Sequence, residues 1–257
     1  MSRLHQQSFL LIVCLFLLPG TGLGQVNTER MRALEVEGFR STLGADVAVE
    51  SGHTELFEIG ARVRFDFRRE PHYTFATGAL RYGTQGGDPF RDRTFGHLRY
   101  NYQLLPSLVA EAFTQLQRDR FAQLQLRVLA GGGVRIRYFN REGVKLFQGT
   151  TPMYEYENLD QAPLGGHPAT VSTARWSNYL NLRLQLSEET RFTATVYVQP
   201  RFDQWSDVRV LNQAALTVRL AEAVRLTTEF SLDYDSRPPD EVESVDLSLQ
   251  NGIEVSF

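Results

Sequence analysis

The sequence predicts a single all-β domain, an antiparallel transmembrane β-barrel of about twelve strands. Polar and apolar residues alternate along most of the chain, the alternating segments are long, and tight turns alternate with longer connections. After residue 24 no apolar run is long enough for a membrane helix, and the mean hydropathy is −0.29. A helical membrane protein is therefore excluded.

The beginning of the chain has the composition of an export signal. An apolar run spans Phe9 to Leu18, and small residues follow it up to Gly24. This run is shorter than the roughly 20 apolar residues that a spanning helix requires. We therefore expect a cleaved signal peptide over residues 1–24 and one barrel domain over residues 25–257.

Charge and cysteine content narrow the class of protein. Cys14 is the one cysteine and lies inside the predicted signal, so the mature chain has no thiol or disulfide chemistry. Loss of Arg3 takes the 27 basic residues to 26 against 30 acidic ones, a net charge of −4. Nucleic-acid binding has no electrostatic support at that charge. The composition suits export to the outer membrane of a Gram-negative-type envelope.

Alternation is clearest from Val224 to Asp235, where one face reads Val, Leu, Thr, Phe, Leu, Tyr and the other Arg, Thr, Glu, Ser, Asp, Asp. The same split recurs over residues 57–68, 124–138, 180–186 and 192–199, and places Leu124 on an outward face. Soluble strands average about 5–6 residues, whereas a tilted membrane strand needs about 9–11. The lengths favour a membrane barrel over a soluble periplasmic β-protein. A lipid-facing midplane charge costs about 2–4 kcal/mol, which explains the uncharged faces.

Eleven connections separate the predicted strands. They are Gly52-His53, Arg69–Pro71, Gly83–Asp92, Leu105-Pro106, Arg118–Arg120, Asn140–Glu142, Glu157–Thr170, Ser187–Glu189, Asp203–Asp207, Ala221–Ala223 and Ser236–Glu241. Every second connection is a tight turn, and the longest connections all fall between these turns. Bacterial barrels place short turns in the periplasm and longer loops outside, so both termini are expected in the periplasm. The alternation is interrupted in Glu142–Tyr156, which leaves ten or fourteen strands open.

Aromatic residues are expected at the two membrane interfaces. The predicted periplasmic rim holds Phe65, Phe67, Tyr73, Phe75, Tyr102, Tyr138, Phe192 and Phe257, and the predicted outer rim holds Trp176, Phe202, Trp205 and Tyr234. The closing strand ends on Phe257 and looks like the terminal signature of outer-membrane barrels that the barrel assembly machinery reads. This strand is expected to pair with the first and close the sheet. The predicted partners are that machinery, outer-membrane lipid and lipopolysaccharide.

Three stretches resemble a known family. They are Leu43–Thr54, Leu98–Tyr102 and the pair Gln117–Phe121 with Arg127–Arg135. Together they are similar to the YdiY-like salt-induced outer membrane proteins. The resemblance implies an outer-membrane barrel of unknown molecular activity with a stress-responsive role, and it supplies no catalytic residues.

Histidines and glycines offer little catalytic chemistry. His53, His72, His97 and His167 fall in different hairpins without the paired spacing of a zinc site, so no metal or cofactor is expected. A lipid-modifying enzyme needs a lipid-facing His–Ser pair, and no predicted hairpin supplies one. The enzyme hypothesis is therefore an alternative to a non-enzymatic barrel. Gly131–Gly133 lacks the residues of a phosphate loop and is expected to relieve crowding, allow a kink or leave room for a bulky luminal neighbour.

One acidic loop leaves a further alternative open. It contains Asp233, Asp235, Asp240, Glu241, Glu243 and Asp246. Several carboxylate oxygens could hold Ca²⁺. A solvated loop tip is the expectation, with calcium binding as the alternative.

The remaining chemistry is on the inward face of the barrel. The lumen-facing candidates are Arg62, Arg64, Asp66, Arg99, Arg127, Arg135, Arg137, Arg183, Arg225 and Glu229. If opposite charges face one another, an ion-pair network fills the lumen. If the arginines line an open path, they favour anions. A structural barrel, a narrow passive pore and an anion-selective channel all stay open on this evidence.

Overall fold

The computed structural model describes residues 37–52, 55–159, 168–238 and 242–255. They form one antiparallel sheet of 12 strands, in which each strand pairs with its neighbours in sequence. The strands are β1 (Gly38–Glu50), β2 (Leu56–Arg69), β3 (His72–Gln85), β4 (Asp88–Leu105), β5 (Leu108–Asp119), β6 (Leu124–Arg141), β7 (Val144–Leu159), β8 (Thr170–Gln185), β9 (Thr190–Pro200), β10 (Val208–Ala221), β11 (Val224–Asp235) and β12 (Val245–Val255). The predicted fold class and strand number are confirmed. The predicted signal peptide, His53 and His167 lie outside the described residues.

Side-chain contacts between strands that are not neighbours show that this sheet is curved into a barrel. The Tyr179 hydroxyl on β8 donates a hydrogen bond to Glu111 on β5 at 3.1 Å. Arg209 on β10 donates to Glu157 on β7 at 3.2 Å. Both pairs join strands three positions apart in the sheet, so the face that carries them is concave. We call this face the lumen.

The strands have the length and the outward faces that a membrane barrel requires. They range from 11 residues in β9 to 18 in β4 and β6, whereas a crossing strand needs about 9–11. The charged outward residues of the described strands are Arg69, Asp92, Arg118 and Arg141, all within five residues of a strand end. None of the helical segments in the described residues is long and apolar enough to cross a membrane.

The connection between β3 and β4 is much shorter than predicted. Instead of a long loop over Gly83–Asp92, the strands continue to Gln85 and from Asp88, and Gly86-Gly87 forms the turn. Both glycines have left-handed backbone angles, with φ of 59° and 88°. Two consecutive left-handed residues form a two-residue hairpin turn, and glycine adopts them without strain. The predicted loop was wrong because this Gly-Gly signal was read as part of a longer connection.

β7 is continuous where the sequence left the strand count open. It runs from Val144 to Leu159 and pairs with both β6 and β8. Its register with β6 is the same at Gly131↔Met153 and at Val134↔Thr150, on either side of Pro152. Proline supplies no backbone N–H to a ladder, so the ladder is interrupted there without a slip. The residues that the structure describes therefore form twelve strands rather than ten or fourteen.

Gly133 and Gly132 form a matched pair for testing how closely β6 packs on β7. A Cβ at Gly133 would lie 2.6 Å from Thr151 Oγ1 and would also meet the backbone oxygen of Thr150. A Cβ at Gly132 would lie 3.6 Å from the backbone oxygen of Glu111, an ordinary contact. We expect Gly133→Ala to lower the free energy of unfolding by about 1–3 kcal/mol and Gly132→Ala to change it little. Urea unfolding of the two refolded variants measures this, and equal losses would contradict the packing.

β1 and β12 form the two edges of the sheet. β1 pairs with β2, and β12 pairs with β11. Within residues 38–50 and 245–255 no ladder joins β12 to β1, so the predicted closing pair is not formed there. Alternation assigns side chains to the two faces of a strand. It carries no information about which other strand pairs with that strand. Phe257 lies outside the described residues, so its recognition by assembly machinery stays a prediction.

The structure corrects three outward assignments. Phe75 and Tyr73, predicted at the periplasmic rim, share the inward row of β3: Phe75 is 0% exposed, and Tyr73 donates to Asp66 at 2.7 Å. Leu124, predicted on an outward face, is 3% exposed because the pairing of β6 with β7 shifts register between Leu124 and Leu126. Alternation reverses face at such a bulge.

The predicted outer rim includes an aromatic group around the β9–β10 loop. Trp176 packs on Phe202 with ring centroids 6.5 Å apart and meets Trp205 edge-on at 5.9 Å. Phe202 and Trp205 lie in the β9–β10 loop at the end of the barrel that has the longer connections, and Trp176 contacts them from β8. Such rings suit the interface between lipid headgroups and water.

Candidate functional site

The candidate site is the lumen, which has different chemistry at its two ends. We call one end the short-turn end, where residues 70–71, 106–107, 142–143, 186–189 and 222–223 connect the strands, and the opposite one the long-loop end. Inward positions recur every second residue along a strand. On β8 the inward row runs from Arg183 at the short-turn end through Tyr179 to Arg175 near the long-loop end.

An ionic cluster lies in the lumen toward the long-loop end. Its members are Arg127, Arg175, Arg201, Arg209, Glu155, Glu157, Asp207 and Asp235. Glu155 is at its centre, 1% exposed, with Arg175 Nε 2.5 Å from Oε2, Arg127 Nε 3.4 Å from Oε1, and Arg209 bonded to Oε1. Three guanidinium groups on three strands therefore converge on one carboxylate.

The rest of the ionic cluster extends this network across the barrel. Arg127 Nη2 lies 2.6 Å from Glu157 Oε2, and Arg209 Nε lies 2.7 Å from Asp235 Oδ2. Asp207 accepts from Arg175 at 2.9 Å, and lies 3.2 Å from Arg201. Four arginines face four carboxylates, so the cluster is neutral as a whole. A buried charge is tolerable when it is paired and hydrogen-bonded in this way.

An apolar layer lies next to the ionic cluster on the short-turn side. Tyr179, Tyr197 and Leu211 are buried together on β8, β9 and β10, and the two tyrosine rings have centroids 5.2 Å apart. The Tyr179 ring lies against Gly149 of β7, where any Cβ would collide with it. Glycine at this position therefore makes room for a side chain that crosses the lumen.

A second group of apolar and aromatic side chains lies on the adjoining strands. Phe113, Leu129 and Met153 pack together on β5, β6 and β7. The His97 ring stacks on Phe113 with centroids 5.8 Å apart, and its Nδ1 lies 3.1 Å from Gln115 Oε1. These contacts give His97 a packing role in the interior of the barrel.

The structure distributes the lumen-facing candidates over several groups. Arg64 and Asp66 form one ion pair at 2.5 Å. Arg99 and Arg135 both face Glu111, at 3.5 Å and 4.0 Å. Arg127 belongs to the ionic cluster. The candidates are not gathered into one site.

The other candidates lie toward the short-turn end or near the sheet edges. The guanidinium of Arg135 lies 3.9 Å from the centre of the Phe147 ring, and those of Arg137 and Arg183 both lie 5.9 Å from it. Arg62 is exposed, 3.7 Å from Asp46. Arg225 and Glu229 occupy inward positions on β11, exposed and half-buried respectively.

Sequence reasoning missed most of the ionic cluster. Glu157 and Asp207 were assigned to connections, and Arg175 and Arg209 were not selected. One signal was present: Met153, Glu155 and Glu157 alternate with Tyr154 and Tyr156, which extends an inward row beyond the predicted strand. Following that alternation would have placed both glutamates in the lumen.

The described part of the acidic loop does not gather its carboxylates into a calcium site. Asp233 and Asp246 are direct partners in the β11–β12 register, and Asp235 is bonded to Arg209. No group of three or more His, Cys, Asp or Glu is placed to hold a metal ion among the residues that the structure describes. Asp240 and Glu241 lie outside them.

The β9–β10 loop, at the long-loop end, carries a further ion pair. Arg201 Nη2 donates to Asp203 Oδ2 at 2.7 Å. These hydrogen bonds from Arg201 hold the pKa of the Asp203 carboxyl below its usual range. Asp203 is therefore a carboxylate throughout the neutral pH range.

Tyr179→Phe tests the bond that crosses the lumen. It removes one donor from Glu111 while keeping the ring against Gly149. We expect a loss of about 1.5–3 kcal/mol in the free energy of unfolding, because the bond is to a buried charged group. Tyr138→Phe is the control, since its hydroxyl bonds Gln148 at an exposed position. Urea unfolding measures both, and losses of equal size would contradict a special role for Tyr179.

Comparison with known proteins gives a family and several similar folds. A family model described as "Protein of unknown function, DUF481" matches residues 42–257. The NanC porin is similar at 9% identity and a TM-score of 0.48, over 84% of this chain and 99% of that one. The KdgM porin is similar at 8% identity and a TM-score of 0.42, over 86% and 99%. The translocator domain of autotransporter NalP from Neisseria meningitidis is similar at 13% identity and a TM-score of 0.41, over 85% and 87%. None of the curated proteins matches this chain.

Proposed function

We propose a function from the lumen itself, because the chain belongs to the DUF481 family, which is described as one of unknown function. The protein is an outer-membrane β-barrel with a filled lumen, and it acts as a structural component of the envelope. The ionic cluster is the observation that carries this proposal. It joins β6, β7, β8, β10 and β11 through buried ion pairs in the interior of the barrel.

The outward faces support the membrane location. Large apolar side chains such as Leu98, Leu116, Leu180 and Leu216 are exposed on them, and within the described residues these outward faces carry charge only near the strand ends. In water this surface would favour aggregation, whereas in lipid it is solvated. Open sheet edges do not occur in the hydrocarbon region, so the proposal includes pairing of β12 with β1 in the membrane.

The filled lumen supports a structural role over a pore. A solute entering from the short-turn end meets the apolar layer and then the ionic cluster. Tyr197 in the first and Glu155 in the second are each 1% exposed, so these two side chains are shielded from water. Ions cross such a path only if both layers are displaced. Several of the arginines on which the anion-channel alternative rests, among them Arg127 and Arg99, are engaged with carboxylates.

The enzyme alternative gains no support from the histidines. His72 lies 2.7 Å from the Tyr100 hydroxyl, and His97 lies 3.1 Å from Gln115. Both contacts fit histidines that stabilise the barrel. We therefore do not propose lipid-modifying activity.

Two measurements test the proposal. The full chain is expressed in a Gram-negative host, its outer membranes are separated, and folding is checked by heat-modifiable migration in gels. The purified barrel is then placed in liposomes to measure swelling in solutes of graded size. The proposal expects an outer-membrane protein that gives no swelling above protein-free liposomes. Recovery in the soluble fraction would contradict the location, and swelling would contradict the closed lumen.

The resemblance to YdiY-like salt-induced proteins gives a finer hypothesis within the family. If it holds, the protein accumulates when the cells grow in high salt. Its abundance in outer membranes from low-salt and high-salt cultures measures this. Constant abundance would remove the stress-responsive role and leave the structural role in place.

A further inference from the structure

Asn212 is an amide on the outward face of β10. Its register partners are Val196 on β9 and Leu232 on β11. Val196 is exposed, as are Leu180 and Leu247, which continue the same row of paired residues on β8 and β12. No residue that the structure describes forms a hydrogen bond with the side chain of Asn212. The donor and acceptor atoms of this amide therefore face lipid without a partner.

The position of Asn212 lies within the apolar band of the barrel. Val208 and Val210 separate it from the long-loop end of β10, and Leu216 and Val218 continue the outward row toward the short-turn end. An asparagine side chain is too short to reach the headgroup region, as lysine and arginine can. A polar group in hydrocarbon is destabilising unless it is hydrogen-bonded. This position therefore indicates a bonding partner outside the barrel.

Other amides on the outward faces of the described strands are bonded within the barrel. They are Gln148, Asn158, Asn178 and Asn251, and each of them bonds a side chain on the neighbouring strand. The barrel thus satisfies these amides by itself. Asn212 differs from them, because its neighbours on β9 and β11 are apolar.

Small residues lie next to Asn212 on the side of the short turns. Ala214 follows it in the outward row of β10 and pairs with Ala194 on β9. Leu182 and Phe230 flank this pair on β8 and β11, so the two alanines form the floor of a shallow dent. Small residues on a membrane-embedded surface let another protein approach closely. The amide and the dent therefore belong to one surface that suits contact with a protein.

We propose that this surface, the outward face of β9 and β10 around Asn212, is the contact between two copies of the chain. A primary amide is its own complement, since it carries both donors and an acceptor. Two copies of Asn212 that meet at a two-fold axis satisfy one another, as an isologous interface requires. The outward rows of β9 and β10 carry no charge, so the same surface on a second copy meets no repulsion. The dimer rests on the membrane location proposed above and goes beyond the structural role of a single barrel.

Sedimentation equilibrium in a density-matched detergent tests this proposal. The full chain is purified from outer membranes, and the expected mass is that of two chains, which falls toward one chain as detergent is added. Asn212→Leu removes the amide and should weaken the association by about tenfold, the order expected for a hydrogen bond between membrane-embedded side chains. Leucine is favourable on a lipid-facing surface, so this variant is expected to fold. Asn212→Gln keeps the amide and should associate more strongly than Asn212→Leu.

Two further variants separate the amide from a general change of the surface. Ala214→Leu fills the dent, leaves Asn212 in place, and should also weaken the association. Asn158→Leu is the matched control, because it removes an outward amide that is bonded within the barrel, on a strand three positions away. It should associate as the wild type does. Each variant is first shown to be folded by heat-modifiable migration.

Two results would overturn the proposal. One is a monomeric wild type at the highest ratio of protein to detergent. The other is equal association by Asn212→Leu and Asn158→Leu, which would place any dimer contact on another surface. Neither result touches the membrane location, which is judged separately by recovery of the chain in outer membranes.

Discussion

Replacing Glu155 with glutamine is expected to lower the free energy of unfolding by about 3–5 kcal/mol. The substitution keeps the shape of the side chain and removes its charge. Three guanidinium groups, those of Arg127, Arg175 and Arg209, then face a neutral amide in a buried site. Breaking a buried pair by removing one partner leaves the remaining charge uncompensated, which is the source of the loss.

The measurement is urea unfolding of the refolded barrel. The fraction that is still folded is read from the intensity of the folded band in unheated gels. Glu222→Gln is the matched control, because Glu222 lies exposed in the turn between β10 and β11. It should change the free energy of unfolding by less than about 0.5 kcal/mol. If Glu155→Gln behaves like the control, the ionic cluster does not stabilise the barrel.

Combining Tyr197→Ala with Arg209→Ala is expected to change a closed barrel into a conducting one. Tyr197 is part of the apolar layer, and Arg209 joins β10 to carboxylates on β7 and β11. On our proposal the two layers lie in series along the lumen, and either one is enough to close the path. Each single variant is therefore expected to stay closed, and the double variant is expected to give discrete conductance steps in planar bilayers.

A control separates opening of the lumen from general loosening of the barrel. Tyr154→Ala with Arg62→Ala removes the same residue types at exposed positions outside both layers. It should stay closed and fold as the wild type does. Silence from a folded Tyr197→Ala/Arg209→Ala variant would mean that other side chains fill the lumen. Steps from either single variant would show that the layers do not act in series.

The strands were predictable because alternation is a local property. In Val224–Asp235 the sequence alone assigns each side chain to a face, and the structure has β11 over that range. The same reasoning correctly assigns an inward face to the β8 residues that alternate with Leu180 and Leu182. It fails where a bulge reverses the faces, as at Leu124, since one extra residue is invisible in the pattern.

The candidate site was less predictable because its contacts depend on the curvature of the whole sheet. Arg209 meets Glu155 across 54 positions in sequence, and Tyr179 meets Glu111 across 68. No motif spans such distances. The sequence predicted that inward arginines would face either carboxylates or an open path, and the choice between these required the position of β7 opposite β10.

Single-channel conductance of the wild-type barrel in planar bilayers tests the closed lumen most directly. The protein is purified in detergent and shown to be folded by heat-modifiable migration before it is added. The filled lumen predicts no discrete steps at any voltage that the bilayer withstands, even in concentrated salt. Reproducible, ion-selective steps from the folded wild-type protein would contradict it, and would make the barrel a pore.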